Sequence, residues 1–164
     1  TKKTIIMRNL IYFIIPFLIM GCQITTTDKN NQEDTKAQSE EEVKKEVKDG
    51  IFIHISSGPE YNHKVLMALK MANIMAEEKD VLVYFDIDGV HVPLKEAVEI
   101  THDGFPSAQE QLQSLIDKGV TIFVCPTCLD VEGKTPKDLM KGVILADKEK
   151  FFSFTEGRIL TIDY

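Results

Sequence analysis

Three short apolar runs recur between residues 51 and 124: Ile51-Phe52-Ile53-His54-Ile55, Val81-Leu82-Val83-Tyr84-Phe85 and Val120-Thr121-Ile122-Phe123-Val124. Each is rich in β-branched and aromatic residues, too short for a helix and bounded by turn residues, which predicts buried strands. Between the first two, Glu60 to Glu78 sets Val65, Leu66, Leu69, Ala72, Ile74 and Met75 mostly three and four apart, the spacing of an amphipathic helix. Between the second and third lie a short helical piece around Pro93 to Ile100 and a helix from Ser107 to Asp117, whose Leu112, Leu115 and Ile116 share a face. Lys118-Gly119 closes that helix, glycine being the usual stop. Farther on, Thr135-Pro136 opens a short helix, Val143-Ile144-Leu145 forms a fourth strand, Asp147 to Thr155 reads as a helix and Arg158 to Ile162 as the last strand. Strands that alternate with helices predict parallel βαβ units, so the fold class is α/β with a mostly parallel four- to five-stranded sheet flanked by helices.

The first fifty residues have another pattern. Lys2, Lys3 and Arg8 precede an apolar segment, Leu10 to Met20, and then Gly21 and Cys22, the charged, apolar and small order of an export signal. After Arg8 the apolar stretch falls short of the roughly 20 residues that span a bilayer, which argues against a retained membrane helix. Leu18-Ile19-Met20-Gly21-Cys22 also resembles the lipobox of bacterial lipoproteins, in which the cysteine is acylated and becomes the new N-terminus. This predicts a signal peptide over 1–21, a lipid anchor on Cys22 and an exported, extracytoplasmic location on a membrane surface. Each buried methylene of such an anchor adds about 0.8 kcal/mol of membrane affinity. From Gln23 to Asp49 large apolar residues are almost absent, so 22–49 reads as an acylated cysteine followed by a disordered polar tether. The remaining 50–164 is the size of one folded domain.

Charge narrows the partners. The net charge is −7, and the first 21 residues hold three basic groups and no acidic one, so the remainder carries −10. No basic stripe is visible, which excludes nucleic acid as an expected partner.

The chemistry concentrates at Cys125-Pro126-Thr127-Cys128, directly after the third strand. Open α/β sheets bind and react in the crevice beyond the carboxyl ends of their strands. A nucleophilic sulfur must be a thiolate, and two cysteines three apart allow one to attack and the other to resolve. Asp130 and Glu132 oppose ionisation nearby; Lys134, His63 or His91 counters them wherever the fold brings one close. The same pair in oxidising surroundings also suits a structural disulfide. A thioredoxin-like reductase ranks lower, because the pattern places no helix directly after the pair. Zinc needs four ligands, and a single pair with the scattered His54, His63, His91 and His102 falls short; no cofactor is expected.

Other features read plainly. Ser56, Ser57 and Tyr61 lie in a strand-to-helix loop that borders the same crevice, as do Asp86 and Asp88 in Asp86-Ile87-Asp88-Gly89. The loop lacks the glycines and lysine of a nucleotide site. Met67, Met71 and Met75 read as helix packing.

The order strand, Gly-Pro loop, long helix, strand, Asp-Gly turn, helix, then Lys118-Gly119-Val120 leading into Val124-Cys125-Pro126-Thr127-Cys128-Leu129-Asp130, resembles the DsrE/DsrF-like superfamily, especially its small YchN-like branch. The resemblance covers residues 50–164. It implies a three-layer α/β/α flavodoxin-like domain, a homo-oligomer that is a trimer or hexamer, and sulfur transfer with persulfide sulfur on Cys125 and Cys128 as the second cysteine. Glu132-Gly133 stands where the family commonly has Arg-Gly, and a glutamate there disfavours an anionic sulfur. The leading expectation is a membrane-tethered thiol protein that relays sulfur with a donor or acceptor protein. The alternative is an oligomeric module that binds a small ligand or a protein, with a structural disulfide.

Overall fold

The computed structural model describes residues 47–164; the export signal, Cys22 and most of the polar tether lie outside the described residues. Five strands, β1 (Gly50–Ile55), β2 (Asp80–Phe85), β3 (Thr121–Val124), β4 (Val143–Leu145) and β5 (Ile159–Asp163), pair in the order β4-β3-β2-β1-β5, and all of these pairings are parallel. Their carboxyl ends therefore share one edge. The sheet grows from β1 through β4 in one direction and adds β5 on the other side of β1, so the winding reverses at β1.

Strand alternation divides the side chains between two faces. Ile51, Ile53, Ile55, Val83, Phe85, Ile122 and Val124 belong to one core with α1 (Asn62–Met75) and α2 (Ala108–Asp117). The first of these helices buries Val65, Leu66, Ala68, Leu69 and Ala72. The second starts in a capping box, with Ser107 accepting from the Glu110 N–H and Glu110 accepting from the Ser107 N–H, and buries Leu112 and Leu115. Burial of each such large side chain contributes about 1.5–3 kcal/mol. Phe52, His54, Tyr84 and Phe123 occupy the other face. There Phe151 of α4 (Lys148–Phe152) covers them, its ring 5.2 Å from Phe52, 5.7 Å from Tyr84 and 6.4 Å from Phe123. The third layer is thus real but thin.

Several elements differ from their sequence expectation. A 3-10 turn at Pro59–Tyr61 precedes α1, which ends at Met75. Helical character predicted at Pro93 to Ile100 falls earlier, in a 3-10 turn at Ile87–His91, while Leu94 is held by an antiparallel bridge to Leu139. The helix expected over Asp147 to Thr155 keeps only five residues, because Asp147 caps it and the chain then turns through Ser153 toward β5. A further correction concerns the thiols: α3 (Pro126–Val131) opens immediately after Cys125.

Candidate functional site

Cys125 leaves β3 still tied to β2, its N–H donating to the Phe85 carbonyl at 2.8 Å. Its backbone is extended and the next residue is proline, which suits the first position of a helix, so Cys125 becomes the N-cap of α3. In place of the usual hydroxyl or carboxylate, a sulfur does the capping: Cys128 N–H donates to Cys125 Sγ at 3.4 Å. Both cysteines are free thiols and half-buried, open to the edge.

The two sulfurs differ in ionisation. Burial resists a charge on Cys125, yet the Cys128 N–H donates to it and the neighbouring Tyr84 hydroxyl, Cys128 thiol and Thr127 N–H also favour its charge, and together they bring its pKa below that of an ordinary thiol. Cys128 goes the other way. Burial raises it, the N–H of Ile87 partly offsets that, and the Cys125 sulfur and the Asp86 carboxylate raise it further. Tyr84 is also held in its protonated form, by burial first and then by its bond to Cys125, so it remains a donor. The arrangement separates the pair into an early-ionising Cys125 and a Cys128 that keeps its proton.

Beside Cys128, Ile87, Asp88, Thr127, Val131 and Glu132 enclose a cavity of about 220 Å³. Ile87 is the one non-glycine residue with a positive φ among the described residues, at 45°. A β-branched side chain there carries strain of order 1–3 kcal/mol. The turn that imposes it is anchored by Gly89, whose N–H donates to the Ser56 and Asp86 carbonyls. A Cβ on Gly89 would collide with the Ile55 carbonyl.

The predicted crevice residues separate into groups. Asp88 lines the cavity, and His91 reaches it through Glu132, with Nε2 and Oε2 3.1 Å apart, so the histidine that faces the opposing carboxylate is His91. Ser56 donates from its hydroxyl to the Tyr164 carbonyl, Ser57 is buried, and Tyr61 packs under Lys64. Their loop packs on the Ile87–His91 turn, which packs in turn on α3. His63 stacks on His102 at 4.6 Å beside Phe105, and Lys134 lines a separate cavity with Lys95, Lys137 and Asp138. Neither joins the sulfurs. Asp130 is an exposed residue of α3. Among the described residues no three of His, Cys, Asp and Glu converge as metal ligands.

Tyr84, Ile87 and Thr127 were missed by sequence reasoning. Tyr84 had a usable signal, since it alternates onto the same face as Phe123, two residues before Cys125. Ile87 and Thr127 act through backbone N–H groups, which leave no mark in side-chain type.

Known proteins resemble this chain in sequence or in fold. The chain is 25% identical over 108 residues to an uncharacterized protein of Methanocaldococcus jannaschii, a match over 65% of this chain and 39% of that one. The chain thus spans about two fifths of the length of this curated relative. The crystal structure of the YchN protein from E. coli superposes with a TM-score of 0.57 at 22% identity, covering 70% of this chain and 99% of that one. A protein of unknown function from Methanobacterium thermoautotrophicum gives 0.49 at 16% identity, covering 70% of this chain and 99% of that one. The DsrE/DsrF-like family profile matches residues 49–154, the whole span from the foot of β1 through α4, and the chain belongs to that family.

Proposed function

We propose that this protein carries sulfane sulfur on Cys125, with Cys128 as its partner thiol. The observation that carries the reading is the position of the Cys125 sulfur: half-exposed at the sheet edge, capping α3, accepting from the Cys128 N–H and influenced by the Tyr84 hydroxyl. These donors favour a thiolate, the form that attacks. The Cys125 thiolate attacks the outer sulfur of a donor persulfide R–S–SH; the donor S–S bond breaks, R–S⁻ leaves and Cys125 holds the persulfide. An acceptor thiolate then takes the outer sulfur and returns Cys125 to its thiolate. Alternatively Cys128, once deprotonated, attacks Cys125 Sγ, expels hydrosulfide and closes a disulfide that a dithiol reductant reopens.

The helix that opens at Cys125 also favours a second reading, dithiol–disulfide exchange with a protein disulfide, because reactive cysteines of such enzymes sit at helix N-termini. The domain works, on the sequence reading, as a lipid-anchored extracytoplasmic homo-oligomer, a trimer or hexamer. Mass spectrometry after incubation with a persulfide donor separates the possibilities. The proposal expects one added sulfur on Cys125, absent in Cys125→Ser. Exchange alone gives no added sulfur but rapid reduction of a disulfide substrate; a pair that stays oxidised under reductant in the folded protein supports a structural disulfide.

A further inference from the structure

The strand register assembles a second set of groups next to the sulfurs. His54 on β1 pairs with Tyr84 on β2 and with Asp163 on β5, and Asp86 lies two residues beyond Tyr84 on the same side. His54 Nε2 is 2.8 Å from Asp86 Oδ1, and Nδ1 is 2.8 Å from Asp163 Oδ1. A carboxylate only accepts, and an imidazole donates from both nitrogens only when it is protonated, so this geometry selects the imidazolium. The site lies on the carboxyl edge at β1, where the winding of the sheet reverses.

We infer that His54 is a positioning residue for the thiol pair: clamped between Asp86 and Asp163, it fixes Asp86 and offsets its charge beside Tyr84 and Cys128. The inference rests on Cys125 as the nucleophile and concerns how its edge is tuned. Asp86 acts on two side chains that influence the Cys125 sulfur, raising both Tyr84 and Cys128. With His54 protonated, the three groups carry one net negative charge; after His54 loses its proton they carry two. A more negative edge disfavours a thiolate. Burial works against the charge on His54, but its two carboxylates outweigh burial, so it titrates above an ordinary histidine. The groups facing this cluster are Tyr84 and Asp86 from β2 and the turn after it, Asp163 from β5, Phe52 from β1 and, across Tyr84, Phe151 from α4. On the far side of the sulfurs stand Asp88, Glu132 with His91, and Asp130.

The test is the pH profile of Cys125 alkylation by iodoacetamide, read by peptide mass spectrometry in the whole chain. H54Q should alkylate roughly three- to tenfold more slowly near pH 6 to 7, the change that half a unit to one unit of thiol pKa makes. The two profiles should converge at alkaline pH, once the wild-type imidazole has lost its proton. H54Q/D86N should recover the neutral-pH rate, which a purely structural role for His54 does not predict. Equal rates for wild type and H54Q at neutral pH, or a double variant no faster than H54Q, overturn the inference. If H54Q fails to fold, proton NMR of His54 decides: coupling is reciprocal, so replacing both cysteines by serine should lower the His54 titration midpoint, and an unchanged midpoint overturns the inference. Neither readout uses a sulfur donor. Failure to load sulfur would sink the carrier proposal alone, whereas absence of this coupling would sink only the role of His54.

Discussion

At the scale of single residues, the central asymmetry is between two cysteines three positions apart. Cys125 ionises early because donors converge on its sulfur, whereas Cys128 stays protonated beside Cys125 and Asp86. Tyr84→Phe removes one donor while leaving the ring in its aromatic cluster. Hydrogen bonds to charged groups contribute about 1.5–3 kcal/mol, so the Cys125 alkylation midpoint should rise by about one to two units and the neutral-pH rate should fall accordingly. His54 adds a pH signature to stability. Its folded pKa is raised above the ordinary value of 6.5, so its contribution is complete below pH 6.5 and is lost as pH climbs through the raised value. The urea midpoint of wild type relative to H54Q should therefore be higher at pH 6 than at pH 9. The cysteine pair was legible from its place after an apolar strand. The His54 clamp was not, because its carboxylates come from positions 32 and 109 residues away and only the strand register brings them together.

At the scale of elements, the loop after β2 positions the sulfurs as much as α3 does. The Ile87 N–H lowers Cys128 from a turn that holds Ile87 at a positive φ, and Gly89 makes that turn fit under the Ile55 carbonyl. Gly89→Ala should destabilise the domain and displace the turn; the expected readouts are a lower melting temperature and faster Cys128 alkylation relative to Cys125. The strands could be read from their apolar runs because burial on both faces demands such runs. The six-residue α3 could not, since Pro126-Thr127-Cys128 has no periodic face and the helix starts from a cap made by a sulfur. Proline just past the end of the apolar strand was the available signal. Around Pro93 to Ile100 the apolar spacing misled: Val92 and Leu94 are buried, Leu94 at its bridge to Leu139, while Val98 is 73% exposed and no helical stripe forms.

At the scale of the whole molecule, a parallel sheet gathers residues from β1, β2, β3 and β5 on one edge, and its chemistry comes from that convergence. The sequence leads us to propose an acylated Cys22 and a polar tether ahead of the domain. Expressed from its native signal, the protein should partition into the detergent phase and Cys22→Ser should release it to the aqueous phase; equal partitioning would remove the anchor. Light scattering of the purified domain should give a mass three or six times that of one chain if the proposed assembly forms. The most direct test of the account follows one sulfur atom through the protein. After loading with a persulfide donor and removal of that donor, mass spectrometry should find a single extra sulfur on Cys125, which leaves when an acceptor thiol is added. An unmodified Cys125, or the same gain in Cys125→Ser, would contradict it.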